Sequence, residues 1–226
     1  MATLALVGGL AVVGVARLLW SAVGMRRLVR RLAATATTHD GVDDVRVVPT
    51  TRAFAFVAGF WRPRVYVGAG LWDRLAPASR EALLAHERAH VAQRDPAWSV
   101  VVSVLAAWAP PGLGAAWQRR WHDATERLCD SRAAAATSVE AVANALVIAV
   151  RANRDDPRAL GVTMGFMPRR GLDARVEALL ARDPAVTAPA PALRLGGVAL
   201  VIASAVVAAS FIDPTHHALE SLLGVF

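Results

Sequence analysis

The run His86-Glu87-Arg88-Ala89-His90 sets two imidazoles and a carboxylate at a spacing suited to metal-assisted hydrolysis. On a helix, positions i and i+4 share a face, so both imidazoles reach one Zn²⁺ while the glutamate between them stands beside the ion's open position. A helix is expected here: Pro77 and Ser79 introduce it at about Ala78, Leu83, Leu84 and Val91 form an apolar face, and it runs to Gln93, with Asp95-Pro96 as its terminator. A catalytic site of this kind also needs a third protein ligand and a position left for water. Glu126 and Asp130 repeat the i, i+4 spacing within Trp121 to Ser131. Glu126 is the candidate to complete the coordination shell, and Asp130 the candidate to accept a hydrogen bond from a ligand histidine and fix its tautomer. In this scheme Glu87 is the general base, taking a proton from the attacking water and handing it to the leaving amine. Tyr66, His122 and Arg127 are the candidates for stabilising the oxyanion, and the residues alone do not choose among them.

The elements that must position these groups lie in an unusually apolar chain of 226 residues, 55% hydrophobic and 19% charged, with a mean hydropathy of +0.40. Such a composition excludes disorder and argues against a purely water-soluble protein. Ala2 to Met25 carries Arg17 as its only charge and is long enough to span a bilayer, which takes about 20 residues. Arg26, Arg27, Arg30 and Arg31 follow the apolar run, whereas a cleaved signal peptide carries its charge before it. The expectation is therefore an uncleaved span over 1–25 with its N-terminus outside. A second span is expected over 193–212, with the apolar core starting at Leu195 after Arg194, and a short external tail over 213–226. Both place residues 26–192 on the cytoplasmic side of a multi-pass protein of the cell membrane. The formal charge of +7 comes from arginine alone, since no lysine occurs, and the arginines are spread from Arg17 to Arg194 without a dense run. The net charge thus reads as membrane topology, and no direct nucleic-acid binding is expected. Cys129 is the only cysteine, which excludes an intramolecular disulfide.

A third apolar stretch, Ala97 to Trp117, is uncharged but carries Ala109-Pro110-Pro111-Gly112-Leu113-Gly114 at its middle and arginines on both sides. Proline and glycine break a helix. A full crossing over 97–117 would also put Glu126 on the opposite side of the membrane from His86 and His90. A re-entrant or surface helical hairpin is expected instead. Upstream, Val45 to Pro49, Ala53 to Ala58 and Arg64 to Val67 read as strands of a small sheet, and Leu71 to Leu75 as a helical turn. The stretch around Arg64 to Val67 is the expected edge for an extended substrate. Downstream, helix is expected from Gln118 to Arg154 and again from Leu172 to Arg182, followed by a Pro- and Ala-rich linker from Asp183 to Ala192. The expected fold is α+β and mainly helical.

Several of these pieces together resemble the membrane-bound metallopeptidases of the BlaR/MecR sensor-transducer type. They are Phe54 to Arg64 with its Arg-Pro turn, Val65-Tyr66-Val67, Leu83 to His90 followed by Arg94-Asp95-Pro96, Glu126 to Asp130 with Cys129, and Arg175-Val176-Glu177-Ala178-Leu179-Leu180. The resemblance implies a gluzincin fold, one Zn²⁺ per chain held by His86, His90 and Glu126, and a protein substrate such as a transcriptional repressor. The chain departs from that pattern with Arg88 where an apolar residue is common and with only 14 residues after the last expected span, too few for an extracellular sensor. Two other readings stand beside it: a quality-control membrane protease resembling the HtpX group, and a catalytically silent metal-binding scaffold, against which the intact Glu87 argues.

Overall fold

The computed structural model describes residues 2–39, 42–59, 61–109, 112–155 and 172–181. In chain order the elements are α1 (Ala2–Thr35), β1 (Thr37–His39), β2 (Val42–Val48), β3 (Ala55–Ala58), β4 (Arg64–Gly68), α2 (Ala69–Trp72), α3 (Pro77–Gln93), α4 (Asp95–Trp108), α5 (Leu113–Ala136), α6 (Val139–Asp155) and α7 (Leu172–Leu180). The described chain is thus mainly helical with one small sheet, as expected. It divides into two compact units. One comprises Gly24–Ala97 with Arg120–Ala188; the other comprises Met1–Val23, Trp98–Arg119 and Pro189–Phe226.

The larger unit is built on the sheet, whose strand order is β1-β2-β4-β3. β2 and β4 run parallel, with Val45 opposite Val65 and Val47 opposite Val67, while β3 pairs antiparallel with β4, Val57 opposite Val65. Side chains alternate across a strand, so Val45, Val65, Val67, Ala55 and Val57 point to one face. There they join Leu83 and Leu84 of α3 and Val142, Ala145, Leu146 and Ala149 of α6 in a continuous core. The opposite face carries Val48, Phe56, Ala58 and Tyr66, covered by Leu28, Val29 and Leu32 from the end of α1. α3 is therefore held rigidly between the sheet and α6, with its polar edge left to carry the chemistry. Arg88 has a place in this arrangement. Its guanidinium bonds both carboxylate oxygens of Asp44, at 2.9 and 3.2 Å, and tethers α3 to β2. Half exposed, that pair contributes at most about 1 kcal/mol.

Three expectations are corrected here, and one strand is added. β4 (Arg64–Gly68) is an interior strand with both sides paired, so it offers no edge to a substrate; β3 is the edge strand beside it. Strand order depends on pairing between distant residues, which the pattern of one strand does not encode. Asp95-Pro96 does not end a helix but begins α4, because proline fits a first helical turn, where its missing N–H is not needed, and an acidic residue suits the positive end of the helix dipole. The stop comes one residue earlier, at Arg94, which caps α3 in the left-handed conformation at φ 57°. The expected continuous helix from Gln118 to Arg154 is broken at Thr137 and Ser138. The Thr137 hydroxyl donates to the Ala133 carbonyl, and the Ala141 N–H donates to the Ser138 hydroxyl, which starts α6. β1 was not anticipated; it pairs antiparallel with β2.

α4 ends at Trp108 and α5 begins at Leu113. Gly114 lies so close to the Ala106 backbone that a Cβ would collide with its carbonyl oxygen. The stretch 97–117 is thus two helical arms rather than one continuous helix. Its Pro110 and Pro111 lie outside the described residues, as do the expected span 193–212 and the tail 213–226. Residues 2–25 form part of α1, although among the described residues no helix is long and apolar enough to cross a membrane.

Candidate metal centre

α3 presents His86, Glu87 and His90 side by side, the first two fully buried and His90 nearly so. The imidazoles meet edge to face, with ring centroids 4.8 Å apart. One turn of α5 brings Glu126 and Asp130 onto the same spot, both buried. His86 Nδ1 lies 2.9 Å from Asp130 Oδ1, within ion-pair distance, and His90 Nδ1 donates to Asp95 Oδ2 at 2.6 Å. With both Nδ1 atoms turned to carboxylates, both Nε2 atoms face inward, 3.0 Å from each other. Glu126 completes a triangle, its oxygens 3.6 Å from His86 Nε2 and 3.4 Å from His90 Nε2.

These separations test whether a metal ion fits. Two ligand atoms about 2.0–2.1 Å from a tetrahedral Zn²⁺ lie about 3.3 Å apart, and the three observed distances bracket that value. Two imidazole nitrogens and a carboxylate converge at the range of metal ligands; without the ion, a proton on His86 bridges to His90 Nε2 at 3.0 Å. Charge points the same way. Among the described residues the buried ionisable groups other than histidine are Glu87, Asp95, Glu126, Asp130 and Arg175. Four carboxylates against one guanidinium leave an excess of buried negative charge, which the protonated His86 offsets only in part and a bound cation would complete. The residues fit a zinc ion.

The electrostatics of the metal-free protein follow. Burial disfavours the His86 cation, but the facing carboxylates of Asp130 and Glu126 outweigh it and raise its pKa to about 9. Burial likewise opposes the charge on Glu126, yet the His86 imidazole 3.6 Å away and the nearby Arg175 hold its carboxyl well below the usual range. Because His86 keeps a proton up to about pH 9, Zn²⁺ must displace it. Apparent zinc affinity is expected to rise with pH, by up to about tenfold per unit, and to level off above His86's own titration. Chelator competition across that range measures it, and an affinity indifferent to pH would contradict the ligand role of His86.

The oxygens of Glu87, like those of Glu126, are buried without a protein hydrogen-bond partner, but Glu126 lies within ion-pair distance of His86, His90 and Arg175. Burial, only partly offset by His86 and His90, raises its carboxyl above the usual range, which suits a general base that must also release its proton. Of the three oxyanion candidates, His122 is the one near the cluster, exposed, with Nε2 3.9 Å from Glu126 Oε1. Tyr66 is on the opposite face of the sheet, packed on Phe56 with ring centroids 6.0 Å apart. Register decides this, because Tyr66 alternates with Val65 and Val67, which face α3. Arg127 is exposed, its Nε donating to the Asp123 carbonyl of its own helix. Neither is brought to the site.

Two residues were missed as members of the cluster. Asp95, read only as a helix terminator, holds His90 because the left-handed Arg94 swings the start of α4 back over the imidazole. Its spacing five residues after His90 was the available signal. Asp95→Asn is expected to weaken zinc binding about 10–100-fold, the usual cost of losing such a partner; unchanged affinity in a chelator titration would remove Asp95 from the site. Arg175, on α7, is the other. Cys129 lies alongside, and His90, Asp95 and Cys129 are close enough to form an alternative ligand set. That set is chemically weaker: His90 Nδ1 is already bonded to Asp95. Burial and the charges of Asp95 and Glu126 push the Cys129 thiol far above its usual range, so the thiolate is disfavoured.

The model of peptidase family M48 matches residues 21–199, a stretch that contains every residue of this cluster. No curated protein matches the chain, and no solved structure does. The match carries the resemblance noted above as far as the metallopeptidase family, without the sensor-transducer subtype. With more than three quarters of its length matched, the chain belongs to peptidase family M48, a family of metallopeptidases.

Proposed function

We propose that this protein is a membrane-bound zinc endopeptidase that cuts a protein substrate on the cytoplasmic side. The observation that carries the reading is the convergence of His86 Nε2, His90 Nε2 and a Glu126 oxygen within 4.8 Å of one another, next to a buried Glu87 with no protein partner. The chemistry supplied by Zn²⁺ when bound there is activation of water and polarisation of the scissile carbonyl. Glu87 takes the proton of the attacking water and returns it to the amine as the peptide bond breaks. His86, His90 and Glu126 hold the ion, with Asp130 and Asp95 fixing the two imidazole tautomers. The role of meeting the developing oxyanion is assigned to His122, supported by its exposed position 3.9 Å from Glu126. An extended substrate adds to β3, the sheet edge that packs against α3.

The bilayer reading rests on where apolar side chains are exposed. In the smaller unit Leu19, Trp20, Val23, Leu113 and Trp117 are exposed, an arrangement that suits lipid and the interfacial preference of tryptophan. Arg26, Arg27, Arg30 and Arg31, also exposed, follow directly and mark the cytoplasmic end. Reporter fusions after Gln118 and after Phe226 test it: the first is expected inside and the second outside, and an external signal at Gln118 would overturn the topology.

The substrate is proposed to be a regulatory protein such as a transcriptional repressor. Strand addition at β3 reads backbone more than side chains, which favours a second reading, quality control of membrane proteins resembling that of the HtpX group. Cleavage by the purified chain separates them. Cuts confined to one cytoplasmic regulator support the first, and broad cutting of unfolded membrane proteins supports the second.

A further inference from the structure

Arg175 lies on α7, 45 residues from Asp130 in sequence, and is 5% exposed. Its guanidinium makes a fork on Asp130: Nε donates to Oδ2 and Nη2 to Oδ1, both at 2.6 Å. Its remaining nitrogen, Nη1, reaches Glu126 Oε2 at 2.8 Å. Asp130 Oδ1 in turn lies 2.9 Å from His86 Nδ1, within ion-pair distance. One planar cation thus spans the carboxylate that orients a histidine and the carboxylate that completes the ligand triangle. Burial opposes its charge, but the two carboxylates keep it firmly protonated. α7 is anchored independently through Leu179 in the main core and by its packing on α6.

We infer that Arg175 is a positioning residue of the metal centre, fixing Glu126 and Asp130, and through Asp130 the ring of His86, in the geometry that binds Zn²⁺. The inference rests on the zinc-site reading given above. Its physical basis is the fork. A guanidinium offers five N–H donors in a rigid plane, matching two carboxylates at once, whereas a lysine ammonium is a compact point charge on a flexible stem. Without the fork, Glu126 and Asp130 repel each other across one helical turn, and the triangle opens. A corollary is that α7 belongs to the centre although it supplies no ligand, so metal binding and the docking of α7 support each other.

Two measurements on the full-length chain test this. In the first, wild type, Arg175→Lys and Arg175→Met are titrated with Zn²⁺ against a chelator, and their Co²⁺ forms are compared by visible absorption, which reports ligand geometry rather than stability. Both variants are expected to lose about 10–100-fold in zinc affinity, as second-layer partners of metal ligands do, and to show altered cobalt bands. An Arg175→Lys variant with wild-type affinity and cobalt spectrum overturns the inference. The second needs no variant: amide exchange of Leu172–Leu180 in the wild type is expected to slow when Zn²⁺ is added. Exchange there that ignores zinc overturns the inference as well. A wild type that binds no zinc at all instead sinks the zinc-site reading, which keeps the two failures distinct.

Discussion

Glu87→Gln is expected to lower peptide cleavage by about 10²–10⁴-fold, the usual contribution of a general base, while one zinc stays bound per chain. Glutamine has nearly the same shape but cannot take up a proton. The side chain is fully buried, with both oxygens lacking protein partners, so the substitution breaks no hydrogen bond within the protein. It also removes one of four buried carboxylates, and the melting temperature is expected not to fall. Metal analysis, cleavage rate and melting curve on one preparation separate the roles: lost activity with retained zinc identifies the base. A variant that cleaves as fast as the wild type would mean that another group takes the proton.

His90→Ala has the opposite signature, with zinc lost first and activity lost as a consequence. Apparent binding of structural Zn²⁺ in small zinc domains amounts to about 10–16 kcal/mol spread over four ligands, which is several kcal/mol for each. Removing one ligand is therefore expected to weaken zinc binding by more than about 100-fold, beyond the loss expected for Asp95→Asn. The substitution also strips Asp95 of its partner at 2.6 Å and leaves that carboxylate buried, so the variant should melt lower than Glu87→Gln. Retention of stoichiometric zinc at unchanged affinity would exclude His90 from the coordination shell.

The parts of the site legible in the sequence are those encoded by local periodicity. His86 with His90, and Glu126 with Asp130, declare their shared faces because a helix returns to the same side after four residues. That 97–117 is not one continuous helix was legible because proline and glycine oppose helix near its middle. What depends on distant pairing was not legible. β4 reads as an apolar strand of the kind seen at an edge or in a centre, and only its pairing with both β2 and β3 makes it central. That same register sends Tyr66 away from the cluster. Asp95 needed the left-handed turn at Arg94 to be understood. Arg175 needed a helix packed from far along the chain, and no spacing rule links it to Glu126. Both missed residues are charged partners of the ligand groups rather than ligands, and their positions follow from the tertiary fold.

The central claim is the composition of the metal shell, which zinc-edge X-ray absorption on the purified full-length chain reads most directly. The account predicts one Zn²⁺ per chain with only nitrogen and oxygen neighbours at about 2.0–2.2 Å, including an imidazole scattering pattern and no sulfur. A sulfur shell at about 2.3 Å would place the ion on Cys129 with His90 and Asp95 and contradict the assignment, as would a protein that holds no stoichiometric zinc.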